Sequence, residues 1–219
     1  MKRIKATVFD LDGTLLDTLD DLAASTNAAL EQNGLPVRTT DEVRSFVGNG
    51  VANLIARAMP DRGSEHPQYQ AVLDAFVAHY ADHSNDHTKP YDGILDALDA
   101  LAGQGVKLAI VSNKIDFAVK SLSALYFGQR MQAAIGDDPS RRRKPAPDSV
   151  LAALSQMGVD TADAVYVGDS DVDVYTAHNA QLPCCAVTWG FRSEESLAAA
   201  GADYIAHTPQ EMLSILEAI

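Results

Sequence analysis

Two aspartates one residue apart, Asp10 and Asp12, are the first groups in this chain whose types and spacing could do chemistry; they lie in Val8-Phe9-Asp10-Leu11-Asp12-Gly13-Thr14-Leu15. They follow Ile4 to Phe9, which alternates and then runs apolar, the pattern of a buried strand. Side chains two apart on a strand share a face, and Gly13 permits a turn that aims both carboxylates into one crevice. Carboxylates so close repel unless a cation joins them. A hard cation such as Mg²⁺ takes oxygen ligands and leaves room for a phosphate. Asp-Gly after a strand is also a common hairpin signal, so this stretch alone leaves a plain turn open.

Three later segments place polar groups at strand ends. Ser112-Asn113 follows the apolar run Val106-Lys107-Leu108-Ala109-Ile110-Val111. A hydroxyl, an amide and backbone N–H groups there could hold phosphate oxygens; a simple helix cap is the competing reading. In Arg141-Arg142-Arg143-Lys144-Pro145-Ala146-Pro147 the arginines read as surface, because basic runs usually do. Lys144 stands before a proline, which favours an extended backbone, and could reach a phosphate or neutralise a carboxylate. Finally Ala164 to Val167 leads into Gly168-Asp169-Ser170-Asp171-Val172-Asp173. Gly168 allows close backbone approach, Asp169 points off the strand end, and Asp173 can lean back towards it from one helical turn on. Acids at a helix start also occur for dipole reasons alone, which suits Asp171 better than Asp169.

A rival site is His79, His83 and His87, spaced by four with Asp82 and Asp86 between. On one continuous helix these would share a face and could bind zinc. Ser84-Asn85-Asp86 is a poor helix stretch, so the third histidine is expected to leave that face, and a solvated helix end is the simpler reading.

The elements that must position these residues follow from periodicity. Residues from about 16 to 86 read as purely helical: Leu19 to Leu30 closed by Gly34 and Pro36, a second helix from Thr40, a break at Gly48-Asn49-Gly50, a third from Val51 to Met59, a loop from Pro60 to Pro67, and a helix from Tyr69 to about His83. So long a helical stretch after one strand predicts a separate inserted bundle. From 87 onward helices alternate with apolar strands at 106–111, near 133–135, 164–167, 184–188 and 203–206. The expected fold is α/β, a doubly wound parallel sheet formed by 1–15 and 87–219 with a helical insert at 16–86. Ligands in such sheets sit outside the carboxyl ends of the strands, where the strand order reverses.

Bulk properties narrow the partners. The 219 residues carry a formal net charge of −13, with pI about 4.7 and 47% hydrophobic content. That argues against nucleic acid and anionic membrane surfaces as natural partners, since both need clustered cations. It leaves small anionic substrates open, because these respond to the local field. No apolar run approaches the roughly 18 residues of a membrane span, and Met1-Lys2-Arg3 runs straight into a strand rather than an apolar signal segment. The only cysteines, Cys184 and Cys185, are adjacent in an apolar run and read as buried hydrophobes. A cytoplasmic monomer or homodimer is expected.

Asp-x-Asp-Gly-Thr at 10–14, Ser-Asn at 112–113, Lys-Pro at 144–145 and Gly-Asp-Ser-x-x-Asp at 168–173, in this order, resemble the haloacid dehalogenase superfamily. Phe46-Val47-Gly48-Asn49-Gly50 and Val187-Thr188-Trp189-Gly190-Phe191 resemble its phosphoglycolate-phosphatase-like group more narrowly. The resemblance covers the whole chain, with the insert falling where one subgroup carries a cap. It implies a phosphatase of a small phosphorylated metabolite, phosphoglycolate first, rather than a dehalogenase, because Asp12 is present. By resemblance Asp10 is the nucleophile that becomes an aspartyl phosphate, and Asp12 the proton donor and acceptor. Mg²⁺ is held by Asp10, Asp169 and the backbone carbonyl of Asp12. Ser112, Asn113 and Lys144 hold phosphate oxygens, Lys144 also counting among the catalytic groups. Asp173 orients Lys144 or a metal-bound water. Gly48, Asn49 and Gly50 are the candidates for reading the leaving group, with Arg57 as an added charge. A phosphomutase of the β-phosphoglucomutase type keeps the same aspartates and is the alternative. Phosphonate cleavage by a cap lysine is disfavoured, since residues 16–86 contain no lysine.

Overall fold

The computed structural model describes residues 4–61 and 63–219. Met1, Lys2 and Arg3, expected to run directly into the first strand, lie outside the described residues. The chain forms two compact units. One runs to Leu16 and resumes at Pro90; the other is Asp17–Lys89.

Strand β1 is Ala6–Phe9, and β2 is the short Leu16–Asp17. Four helices follow: α1 (Leu19–Gln32), α2 (Thr40–Phe46), α3 (Gly50–Ala58) and α4 (Tyr69–His83). Strand β3 (Lys89–Pro90) leads to α5 (Ile94–Gly103), β4 (Lys107–Ile115), α6 (Asp116–Tyr126) and β5 (Met131–Asp137). Then come α7 (Asp148–Met157), β6 (Ala164–Gly168), α8 (Asp171–Asn179) and β7 (Cys184–Val187). Helix α9 (Glu194–Ala200), β8 (Tyr204–Ala206) and α10 (Pro209–Ala218) close the chain.

Six strands make one sheet in the order β5-β4-β1-β6-β7-β8, and each neighbouring pair runs parallel. The chain winds outward from β1 through β4 to β5, then returns to the other side of β1 for β6, β7 and β8. The order therefore reverses between β1 and β6, and a doubly wound sheet opens a crevice at that point. Period-two alternation divides the strand side chains between two cores. Phe9, Ile110, Val165 and Val167 face α5, α6 and α10 through Leu98, Val119 and Met212. Val8, Val111 and Tyr166 face α7 and α8 through Val150, Leu154 and Val174. Burial on both faces is why these strands read as continuous apolar runs.

The helical unit has its own core, with Leu22, Leu30, Val43, Ile55, Val72 and Phe76 all buried. The α2 start is fixed by a reciprocal pair of bonds: the Glu42 N–H donates to Thr39 Oγ1 at 3.2 Å, and the Thr39 N–H to Glu42 Oε2 at 2.7 Å. Asp21, almost wholly buried, accepts from the backbone of His87 and from both the backbone and hydroxyl of Thr88. The unit is not purely helical from its first residue. Strands β2 and β3 pair with each other as a two-stranded sheet, and each is two residues long, too short to leave a periodic signal. The expected loop at 60–67 contains a 3₁₀ turn, Gly63–Glu65.

Candidate active site

Backbone geometry brings Asp10 to the switch point. The Asp10 N–H donates to Val167 O at 2.9 Å, extending the β1–β6 ladder one residue past β1. The chain then turns, with Leu15 and Leu16 N–H groups closing on Leu11 O and Gly13 N–H on Leu16 O. Gly13 sits at φ +85°, and a Cβ there would meet Asp169 Oδ2 at 2.4 Å. Only glycine satisfies both the turn and that approach.

Asp10 is buried with its Oδ1 2.9 Å from Lys144 Nζ. Lys144 is itself buried, and its ammonium also meets Asp173 Oδ1 at 2.7 Å and Tyr166 Oη at 3.1 Å. The backbone of Lys144 is clamped by Asn113: the Lys144 N–H donates to Asn113 Oδ1 at 3.0 Å, and Asn113 Nδ2 donates to Lys144 O at 3.2 Å. The Asn113 side chain is thus directed at Lys144, a contact across 31 residues of sequence. The Lys144–Pro145 peptide is cis.

Asp173 is wholly buried and accepts at both oxygens: Oδ1 from Lys144 and Tyr166, Oδ2 from the Ser170 N–H at 3.1 Å and hydroxyl at 2.6 Å. Helix α8 starts at Asp171, where this Ser170–Asp173 exchange caps it. A Cβ on Gly168 would lie 2.3 Å from Asp173 Cβ, so the close approach of strand and helix requires glycine there.

Asp169 follows β6 and faces Asp10 across the switch point. Thr14 Oγ1 donates to its Oδ1 at 2.9 Å, and the Phe191 N–H to its Oδ2 at 2.8 Å. Trp189 Nε1 donates to Thr14 O at 3.0 Å, so residues 189–191 hold both Asp169 and the turn after β1. Asp12 Oδ1 lies 2.9 Å from Lys114 Nζ, and the Lys114 side chain is only 3% exposed.

The electrostatics are short of positive charge. Burial pushes the Asp10 carboxyl up to about 7, with Lys144 pulling it down and Asp173 and Asp12 pushing it further up. Burial also drives Asp169 well above the carboxylate range, helped by Asp173 and Asp10. Burial opposes the Lys144 charge, but Asp10 and Asp173 outweigh it and hold the ammonium protonated. Carboxyl oxygens of Asp10, Asp169 and Asp173 lie within 4.8 Å of one another, the one group of this kind among the described residues. All its donors are hard oxygens, and burial first, with neighbouring carboxyls second, disfavours the charged forms of Asp10 and Asp169, a penalty that a divalent cation would offset. Each Asp173 oxygen already accepts two bonds, whereas each Asp169 oxygen accepts one and Asp10 Oδ1 meets Lys144, so Asp10 and Asp169 are the better pair for a cation.

The remaining candidates stand elsewhere. Ser112 lies within β4, which runs on to Ile115; it is not a helix cap, since α6 starts only at Asp116. Gly48 and Gly50 take φ of +130° and +80°, and Asn49 precedes α3. Arg57 Nη1 donates to Phe46 O at 2.8 Å. His79 meets Ser25 Oγ at 3.0 Å and His83 meets Asp86 at 2.7 Å, while α4 ends at His83, before His87. Arg142 and Arg143 pair with Asp148 and Asp137 on the surface. Both cysteines are free and buried. Among the described residues, no helix is long and apolar enough to cross a membrane.

Sequence reasoning missed Tyr166 and Lys114. Tyr166 hides in an apolar run; its only signal is a polar tip at the even position that shares a face with Gly168. Lys114 directly follows Ser112-Asn113, and the strand was expected to stop at Val111.

Carboxylates past the ends of adjacent strands β1 and β6, with buried Lys144 against Asp10, form a site suited to phosphate chemistry. Residues 7–187 match the haloacid dehalogenase-like hydrolase family. The chain belongs to this family and is an enzyme of the hydrolase class. It is 33% identical to N-acetylmuramic acid 6-phosphate phosphatase of Pseudomonas aeruginosa, covering 98% of this chain and 96% of that protein. It is 32% identical to phosphoglycolate phosphatase of Chromobacterium violaceum, over 99% and 98% of the two chains. A crystal structure from Lactobacillus delbrueckii subsp. bulgaricus, provisionally assigned as a phosphoglycolate phosphatase, superposes with a TM-score of 0.95 at 35% identity. It covers 99% of this chain and all of that one.

Proposed function

We propose that this protein is a Mg²⁺-dependent phosphatase of small phosphorylated acids, phosphoglycolate first, working through phosphorylated Asp10. The observation that carries the reading is the buried Asp10 carboxylate at the sheet switch point, touching Lys144 and facing Asp169. Asp10, Asp169 and the backbone carbonyl of Asp12 are the groups that would hold the cation. When bound, Mg²⁺ supplies the positive charge that lets a carboxylate approach a phosphate dianion.

The chain's own groups do the rest. Lys144 and Ser112 hold phosphoryl oxygens, with Asn113 fixing the Lys144 backbone and Asp173 its ammonium. An Asp10 oxygen attacks phosphorus, the bond to the ester oxygen breaks, and Asp12 gives that oxygen a proton. Asp12 then takes a proton from water as the water attacks phosphorus, releasing inorganic phosphate and restoring the Asp10 carboxylate. Tyr166 keeps Lys144 and Asp173 in register.

Selection of the alcohol is assigned to Gly48, Asn49 and Gly50, where two glycines at positive φ form a tight turn around the Asn49 amide, and Arg57 is tethered to Phe46 O nearby. Such donors suit a carboxylate. The names of both full-length relatives point to phosphorylated acids, which favours an acid here and makes N-acetylmuramic acid 6-phosphate the second substrate to test. The reading places the enzyme in a reducing cytoplasm, where two buried, unbridged cysteines are at home.

A panel of phosphorylated metabolites read by phosphate release tests this. Phosphoglycolate should lead in kcat/KM. A sugar or nucleotide monophosphate ahead by about ten-fold, about 1.4 kcal/mol, would overturn the substrate class. An isomerised sugar phosphate with no free phosphate would point to the mutase.

A further inference from the structure

The turn after β1 carries two carboxylates, and each meets its own buried lysine: Asp10 meets Lys144, Asp12 meets Lys114. The second pair is unexplained by phosphate binding. The Lys114 side chain is 3% exposed and that of Asp12 14%, with Nζ 2.9 Å from Oδ1. Taking an ammonium out of water costs several kcal/mol, and a buried ion pair gives little net stability over apolar packing. A pair so placed is better understood as a device for position.

The backbone shows how it is built. Strand β4 pairs with β5 in regular register only from Ala109 to Val111, after one shift between Leu108 and Ala109, and the register shifts again before Ile115 meets Asp137. The second shift falls on Ser112-Asn113-Lys114, so these three leave the regular ladder where β4 passes the carboxyl end of β1. The Lys114 N–H donates to Ser112 Oγ at 3.3 Å, and Asn113 locks onto the Lys144 backbone. The bulge thus holds one lysine through its main chain and presents the other as a side chain. Asp12 sits in a turn one residue before Gly13, where a short side chain has more than one rotamer open to it. A proton donor must stand within hydrogen-bond reach of the leaving oxygen.

We propose that Lys114 is a positioning residue: it binds Asp12 Oδ1 and so fixes the carboxyl in the rotamer that presents Oδ2 to the leaving group. The inference rests on Asp12 being the proton donor. It predicts that loss of Lys114 is felt at the step Asp12 performs.

The test is a double-mutant cycle with Lys114→Met and Asp12→Asn, each read on an aryl phosphate (p-nitrophenyl phosphate) and on phosphoglycolate. An aryl oxygen leaves with little protonation; an alkyl oxygen needs the proton. K114M should lose at least about ten-fold more kcat on phosphoglycolate than on the aryl ester, with KM nearly unchanged. In the D12N background, K114M should cost less than about two-fold on either substrate, because the group it positions is already disabled. Equal loss on both substrates, or losses that multiply in the double variant, would overturn the proposal. Lys114→Arg guards against misfolding: it keeps the charge but displaces it, and must show the same unequal loss in smaller degree. If D12N itself shows no difference between the two esters, the proton-donor reading of Asp12 is at fault. If D12N shows it and neither Lys114 variant does, only the positioning role fails.

Discussion

Asn at position 10 should make the metal-free protein more stable while destroying its activity. The Asp10 carboxyl rises from 3.8 to about 7, chiefly because it is buried, with Asp173 and Asp12 adding repulsion that Lys144 only partly offsets. In the unfolded chain the group has its ordinary value. Below about pH 4 both states hold the proton and burial carries no ionic penalty. Between about pH 4 and 7 the folded state still holds a proton that the unfolded state has lost, so stability falls as pH rises. Above about 7 both are ionised and the penalty is complete, at most about 4 kcal/mol for the interval from 3.8 to about 7. Asparagine imitates the protonated form and can still accept from Lys144 through its amide oxygen. In EDTA at pH 8, Asp10→Asn should therefore raise the urea midpoint, by about 1 M for the full penalty at an m-value of about 3 kcal/mol/M. The gap should narrow on going to pH 5. Saturating Mg²⁺ should stabilise the wild type far more than the variant and close the gap from the other side. Turnover of the variant should fall by at least about 10³-fold, the scale of losing a covalent nucleophile. A variant no more stable than wild type at pH 8 in EDTA would refute the electrostatic account of this site.

Activity should require Mg²⁺ and be lost to a chelator, with Ca²⁺ a poor substitute because its higher, looser coordination disturbs the attack geometry. Mg²⁺ added to metal-free protein should also alter the emission of Trp189, the one tryptophan in the chain, through its bond to Thr14 beside Asp169; a silent titration with full activity in EDTA would remove the cation from the reaction. Asp12→Asn should slow phosphoglycolate hydrolysis more than p-nitrophenyl phosphate hydrolysis, and equal slowing would reduce Asp12 to a holder of the metal through its carbonyl. In Gly190→Ala the new Cβ would meet Asp169 Cβ and Oδ2 and Gly13 O at 2.4 Å. That substitution should cost about 1–3 kcal/mol of stability and raise the half-saturating Mg²⁺ concentration by about ten-fold or more; an unchanged Mg²⁺ requirement would count against Asp169 as a ligand.

The parts legible in the sequence are those whose signal is local. Apolar runs at 106–111 and 164–167 mark strands buried on both faces, and polar residues just past them mark strand ends, so Asp10, Ser112 and Asp169 could be set at one edge of a sheet before any coordinates. Helix α4 was readable from end to end, because Val72, Phe76 and Tyr80 recur on one face. What was not legible depends on tertiary approach. Nothing in the sequence near Asn113 says that its amide is spent on the main chain of Lys144. Tyr166 looks like any strand residue until the sheet sets its hydroxyl between Lys144 and Asp173. Residues 189–191 resembled a family marker; only the folded chain shows the Phe191 N–H on Asp169 and the Trp189 indole on Thr14. Lys114 escaped notice because the apolar pattern stops three residues before it, although the strand continues through the register shift.

The central claim is a phosphoryl group carried on Asp10. Mixing the enzyme with Mg²⁺ and excess phosphoglycolate, then quenching into borohydride, reduces an acyl phosphate to the corresponding alcohol and leaves homoserine where the aspartate was. Peptide mass spectrometry should find that change at Asp10, dependent on both substrate and Mg²⁺, and absent from Asp12, Asp169 and Asp173. Efficient hydrolysis with no modified residue, or modification at any aspartate other than Asp10, would contradict the account.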